Sequence, residues 1–245
     1  MSIATEITRL QNAKSALATS IGNKGVIVPS ATKLDGYAAL VDSIQTGGSG
    51  EWTTDGIADK SEPSGEINIS VAVKDRTFSS CNNITKVTLT YNGSCAGSYS
   101  FEYCTGLQEV ICTRGQVVGT RAFQGCTNLR KVTMSGSNFS MGNNIFNGCS
   151  SLETVDCGSP SGWYVQTFNG CSALKNLILR NTSVQDLNQT PSAAQLGGIY
   201  SNPSQAAIYV PTALINDYKV ATNWSALYAL NNNIFKAIEG SEYEL

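Results

Sequence analysis

The stretch 122–134, AFQGCTNLRKVTM, returns four more times in the same frame, and no other feature restricts the fold so tightly. The copies are TFSSCNNITKVTL, SFEYCTGLQEVIC, IFNGCSSLETVDC and TFNGCSALKNLIL. Their phenylalanines, Phe78, Phe101, Phe123, Phe146 and Phe168, stand 23, 22, 23 and 22 residues apart. Three residues on come Cys81, Cys104, Cys126, Cys149 and Cys171, and three further Ile84, Leu107, Leu129, Leu152 and Leu174. Val87, Val110, Val132, Val155 and Leu177 follow, then Leu89, Cys112, Met134, Cys157 and Leu179. A fixed period in the twenties is the signature of a solenoid. Within each unit the alternation Val-x-Leu predicts a short strand with two residues facing inward. The Phe-x-x-Cys-x-x-Leu spacing predicts a short helical or 3₁₀ turn on the opposite wall. One unit cannot bury its apolar edge alone. Stacked units can, and each buried Phe, Leu or Val then contributes roughly 1.5–3 kcal/mol.

The connecting segments keep the register. Gly97, Gly119 and Gly142 stand four residues before a repeat Phe, where a turn is expected to need an unusual φ; Tyr164 takes that place in the last unit. Ala96, Val118, Met141 and Trp163 stand five before, a further inward column.

Composition narrows the function. With 41% hydrophobic and 14% charged residues, the chain fits a globular protein with a polar rather than ionic surface. It has 16 Lys+Arg against 18 Asp+Glu, a net charge of −2 and no basic run, so nucleic acid is not an expected partner. It has no His, which removes the commonest general base and the commonest metal ligand together. No phosphate loop, paired-carboxylate signature or nucleophile elbow occurs. No catalytic residue, metal site or cofactor is therefore expected, and the protein is read as a non-enzyme. The N-terminus lacks the apolar core of a secretory signal, and no stretch reaches the roughly 18 apolar residues of a membrane span. Synthesis in a cytoplasm without membrane insertion is expected.

Seven of the eight cysteines fall in repeat columns and read as small buried hydrophobes. Disulfides between rungs and a zinc site are the alternatives, but parallel thiols in a ladder are poorly aimed for either. Cys95 is out of register and is the expected reactive thiol.

The outward strand positions form the expected binding face. One column reads Thr88, Ile111, Thr133, Asp156 and Ile178; the preceding one reads Lys86, Glu109, Lys131, Thr154 and Asn176. At about 4.8 Å per rung this face is roughly 20 Å long, enough for an oligosaccharide or the edge of a protein. The Lys–Glu–Lys run reads first as a solvated cross-strand ladder. Tyr99, Tyr103 and Tyr164 are further aromatic candidates; Trp163 is one too, although its register favours the interior.

The ends differ from the middle. In residues 1–46, Ile3, Ile7, Leu10, Leu17 and Ile21 make one apolar helical stripe; after a connection carrying Leu34, Tyr37, Val41 and Ile44 continue on a second helix. Two short helices with little to bury between them want a partner, so a dimer or trimer is expected. Residues 47–51 form a flexible linker. Residues 52–76 are expected to cap the array with a strand over Ile67, Ile69, Val71 and Val73, residues 77–180 hold five repeats, and residues 181–245 close it with a strand, a helix opened by Pro211 and a Trp.

The repeated frame, AFQGCTNLRKV above all, resembles the BspA-like, surface-antigen class of bacterial leucine-rich repeat over residues 77–180. The resemblance implies an α/β repeat solenoid with short parallel strands and a role in adhesion or recognition, and it implies no chemistry. The stretch KGVIVPSATKLDGYAALVDSI (24–44) resembles an N-terminal segment of bacteriophage tail-fibre and virion-surface proteins. That implies attachment to another virion protein, as an oligomer on the virion surface, with the distal domain free to bind a host glycan or protein. The alternative is a bacterial repeat protein that mediates protein–protein interaction without a virion.

Overall fold

Among the described residues, eight short parallel strands, one per turn of the chain, make the main wall of the repeat unit. The structure is a computed structural model that describes residues 64–245, apart from 115, 118, 138, 139, 164, 165, 186 and 188. The expected helices of residues 1–46, with Ile3, Ile7, Leu10, Leu17, Ile21, Leu34, Tyr37, Val41 and Ile44, lie outside the described residues, as do Val118 and Tyr164.

Each Val-x-Leu segment is a strand. Strand β1 is Gly65–Ile69, β2 Ile84–Leu89, β4 Glu109–Cys112, β6 Lys131–Met134, β8 Thr154–Asp156 and β10 Asn176–Ile178. Two more, β11 (Ala207–Val210) and β12 (Phe235–Ala237), continue the same sheet. Its order is β1-β2-β4-β6-β8-β10-β11-β12, each strand beside its successor in the stack. Val87, Val110, Val132, Val155, Leu177 and Ile208 are in register along it and all are fully buried. The first strand stops earlier than the alternation suggests. It ends at Ile69; Val71 is 41% exposed, and Val73 instead bridges to Ala96 on a second wall.

That second wall is built from two-residue and three-residue strands. Strand β3 (Ser94–Ala96) pairs with β5 (Gln116–Val117), and β7 (Ser140–Met141) with β9 (Gly162–Trp163), all parallel. Ala96 and Met141 are buried as their register requires. Ala96 is paired with Val117, also buried, because β3 carries a bulge. Gly97 and Gly119 follow these strands, but neither has a left-handed φ. What they need is room. A Cβ on Gly119 would lie 2.2 Å from the Gly97 carbonyl oxygen, and one on Gly97 2.9 Å from the Asp75 nitrogen.

The third wall holds the phenylalanines, and it is a chain of turns rather than helix. Hydrogen bonds over three residues are present, as the spacing predicts: Cys81, Cys126 and Leu129 each donate their amide to the carbonyl three residues back. Left-handed residues interrupt them on both sides of every Phe. Arg76, Tyr99, Arg121, Asn144 and Gln166, two before, have φ of 56–61°. Ser80, Tyr103, Gly125, Gly148 and Gly170, two after, have φ of 58–78°. Alternating handedness turns every second amide along the stack, so it bonds to the next rung, while the amides between bond within the turn. Phe101 donates to Ala122 at 2.8 Å and Tyr103 to Gln124 at 2.7 Å; Phe123 and Gly125 do the same to Ile145 and Asn147.

Between the walls the side chains stack in columns. The five repeat phenylalanines are at most 1% exposed, with neighbouring ring centroids 4.9, 5.2, 5.8 and 5.7 Å apart and ring planes within 12°. Such pairs add about 0.5–1.5 kcal/mol each to the burial of their area. The cysteines beside them are buried and also act as donors. Cys104, Cys126, Cys149 and Cys171 direct Sγ to the carbonyls of Phe78, Phe101, Phe123 and Phe146 at 3.0–3.1 Å. Each such carbonyl therefore serves two rungs. Burial pushes the Cys149 and Cys157 thiols up, and that of Cys171 up to about 12.

The stack is closed by helices α1 (Ala193–Leu196), α2 (Gly198–Ser201), α3 (Ile215–Val220) and α4 (Trp224–Leu230). Pro211 precedes a 3₁₀ turn, Thr212–Leu214, that runs into α3. Tyr218 and Trp224 meet edge to face, 5.3 Å apart and fully buried, and both pack against Phe235 of β12.

Candidate functional site

Outward from the main sheet, the strands present the positions that alternate with the buried columns. Across β2, β4 and β6 the alternation holds. Val87 and Leu89, Val110 and Cys112, and Val132 and Met134 are buried, while Lys86, Thr88, Glu109, Ile111 and Thr133 are half-buried and Lys131 is exposed. Strand register brings Lys86, Glu109 and Lys131 side by side, and Thr88, Ile111 and Thr133 likewise. Lys86 and Glu109 pair at 3.2 Å. The hydrogen bond to Glu109, and then its charge, hold the Lys86 ammonium above its ordinary value. Both side chains are about 30% exposed, so the pair orders the surface more than it stabilises the fold.

Beyond β6 this face changes. Thr154 and Asn176 remain half-buried and share a hydrogen bond of 3.3 Å. Asp156 and Ile178, expected to be exposed, are not: Asp156 is 8% and Ile178 0% exposed. Ile178 stands in register between Asp156 and Tyr209, and both neighbours carry a roof. The Arg180 guanidinium grips Asp156 through two nitrogens, at 3.0 and 2.7 Å, and donates to the Tyr243 carbonyl at 2.8 Å. The Tyr243 ring meets that of Tyr209 edge to face at 4.6 Å. Burial, and then the charge of Glu242, push the Tyr243 hydroxyl up to about 12. The segment around Tyr243 thus covers the sheet at β8, β10 and β11. Among the described residues, the part of the expected face that stays open is the three strands β2, β4 and β6.

The aromatic candidates lie apart from this face. Tyr99 and Tyr103 occupy the two left-handed positions of one phenylalanine turn. Tyr99 is half-buried between Arg76, whose guanidinium carbon lies 4.2 Å from its ring centre, and Arg121, at 5.7 Å. Tyr103 is 48% exposed and accepts a hydrogen bond from Gln124. The backbone of Trp163 belongs to β9 on the second wall; its side chain, like the whole of Tyr164, lies outside the described residues.

Arg180, Tyr209 and Tyr243 were not among the candidates. Arg180 had a signal: it stands two residues after Ile178, on the same outward side, and Ile178 is the repeat equivalent of Asp156 one unit earlier. Tyr243 had none, since it lies 63 residues further along the chain than the Arg180 it contacts. Among the described residues no group of three or more His, Cys, Asp or Glu is arranged to hold a metal, and no helix is long and apolar enough to cross a membrane.

Residues 114–190 match the family model described as a BspA type leucine rich repeat region, with six copies. No curated protein matches the sequence. Among solved structures the chain is similar to a leucine-rich repeat protein from Bacteroides ovatus, at 23% identity and a TM-score of 0.34, over 47% of this chain and 37% of that one. The chain thus spans little more than a third of that protein. It is also similar to a leucine-rich repeat protein of T. pallidum, at 16% identity and a TM-score of 0.38, over 70% of this chain and 85% of the other. Over its repeats, this chain is similar to the BspA type of leucine-rich repeat.

Proposed function

We propose that this protein is a non-enzymatic adhesin that presents the open strands β2, β4 and β6 to a glycan or protein on a host-cell surface. The observation that carries the reading is the contrast along one sheet. Its outward face is roofed by its own chain at β8 to β11, yet left open, polar and in register at β2 to β6. A repeat surface of this kind is suited to protein–protein interaction. Thr88, Ile111 and Thr133 supply a central column with one apolar group, and Lys86, Glu109 and Lys131 flank it with both signs of charge. Residues 1–46 are proposed to attach the protein, as a dimer or trimer, to another virion component. The support for this is the likeness of residues 24–44 to phage fibre segments and the apolar stripes before and within that segment.

The test is binding of fluorescently labelled full-length protein to bacterial cells, read by flow cytometry. Thr88→Arg with Thr133→Arg is expected to lower binding at least tenfold, and prior digestion of the cells with protease or glycosidase separates protein from glycan ligands. Undiminished binding by the double variant would sink the assignment of the face. Light scattering on the full chain and on a chain starting at Glu51 tests attachment: a dimer or trimer that becomes a monomer on truncation is expected. A bacterial protein without a virion would give a monomer in both.

A further inference from the structure

Cys95 is out of the repeat register for a structural reason. Strand β3 pairs Ser94 with Gln116 and Ala96 with Val117, so Cys95 is the extra residue of a β-bulge. A bulge re-aims a side chain, and this one sends Cys95 into the core. Its Sγ lies 2.8 Å from Sγ of Cys112, at the end of β4 in the next rung. The two thiols approach from different walls, whereas Cys104, Cys126, Cys149 and Cys171 run parallel in one column and direct their sulfurs to backbone carbonyls. Sulfurs this close on two different strands meet the first geometric need of a disulfide.

We propose that Cys95 and Cys112 form a redox-responsive pair, which closes into a disulfide across the first two repeats on exchange with a small-molecule disulfide of the glutathione type. One cysteine, as thiolate, attacks the small disulfide and releases one small thiol. The second, as thiolate, displaces the other half and forms the Cys95–Cys112 bond. The protein loses two S–H bonds and gains one S–S bond; the small disulfide takes the two electrons and two protons and leaves as two thiols. Both cysteines are at most 1% exposed, so exchange occurs during folding or when the bulged wall opens. That wall is the weakest part of the rung, a three-residue strand against a two-residue one. The consequence is a clamp between the first two rungs of the repeat array.

The experiment is to refold full-length protein in oxidised and reduced glutathione, block remaining thiols with N-ethylmaleimide in denaturant, and map the peptides. Oxidised refolding is expected to leave six blockable cysteines and a peptide pair linked through 95 and 112. Closing a loop of 17 residues should raise the melting midpoint by roughly 5–10 °C, reversed by dithiothreitol. Cys95→Ala and Cys112→Ala should each abolish the redox-dependent shift, while Cys157→Ala keeps it. Eight blockable thiols after oxidised refolding, a link through other cysteines, or a shift surviving in Cys95→Ala would overturn the proposal. The peptide map of the unmodified chain decides the matter even if a variant fails to fold.

Discussion

Ser80 holds φ of +64° with a side chain attached, while Gly125, Gly148 and Gly170 hold the equivalent positions without one. A non-glycine residue in the left-handed region costs about 1 kcal/mol. Ser80→Gly is therefore expected to stabilise the protein by up to about 1 kcal/mol, or roughly 2–4 °C in thermal denaturation. Gly125→Ala should do the reverse and cost more, since its Cβ would lie 2.3 Å from the Tyr103 ring. A melting midpoint unchanged in both would mean that the turn wall relaxes freely. The Phe-x-Gly-Cys stretches of three repeats display this need in the sequence, yet the expectation fell on Gly97, Gly119 and Gly142, none of which has a left-handed φ; at Gly97 and Gly119 the role is close approach. Spacing identifies a column; it does not say whether a glycine supplies φ or space. The cysteine column was legible as buried, and its Sγ–carbonyl contacts were not, because periodicity names no partner.

At the scale of elements, the strands that carry the repeat were legible because Val-x-Leu alternation has one inward face. Strand β12, Phe235–Ala237, was not, being three residues long and outside the period. Phe123 is the middle ring of the stack, so Phe123→Ala is expected to cost about 3–5 kcal/mol in denaturant unfolding, with no rung able to close the gap. Arg180→Ala should cost about 3 kcal/mol for a different reason: it leaves the Asp156 carboxylate buried without its cation. Asp156→Asn in the same background is expected to recover part of that loss. The cap offers a pH test. The Glu239 carboxylate accepts the Thr212 hydroxyl at 2.7 Å and amide at 2.8 Å, and these bonds hold its pKa below the ordinary 4.5. Its contribution is complete above 4.5 and disappears as pH falls through the lowered folded value. The melting midpoints of the protein and of Glu239→Gln should thus differ near neutrality and converge in acid.

For the whole molecule, the sequence revealed a stack and an outward face, but not which part of that face is open. The difference is a contact between Arg180 and Tyr243, which joins segments far apart in the chain and leaves no periodic trace. Backbone bonds run along the stack on the main sheet and in the left-handed turns, and the short second sheets add to them between some rungs. A protein anchored at one end and gripped at the other would load those bonds in series. Pulled along the axis, the array should lengthen like a ratchet paying out one repeat per slip, each adding roughly 75 Å of contour for its 22–23 residues. Optical-tweezer traces with evenly spaced steps are the expected record, and a single rip would show that the columns of Phe and Val yield together. A tether that gives way in instalments stays attached while it dissipates a sudden load.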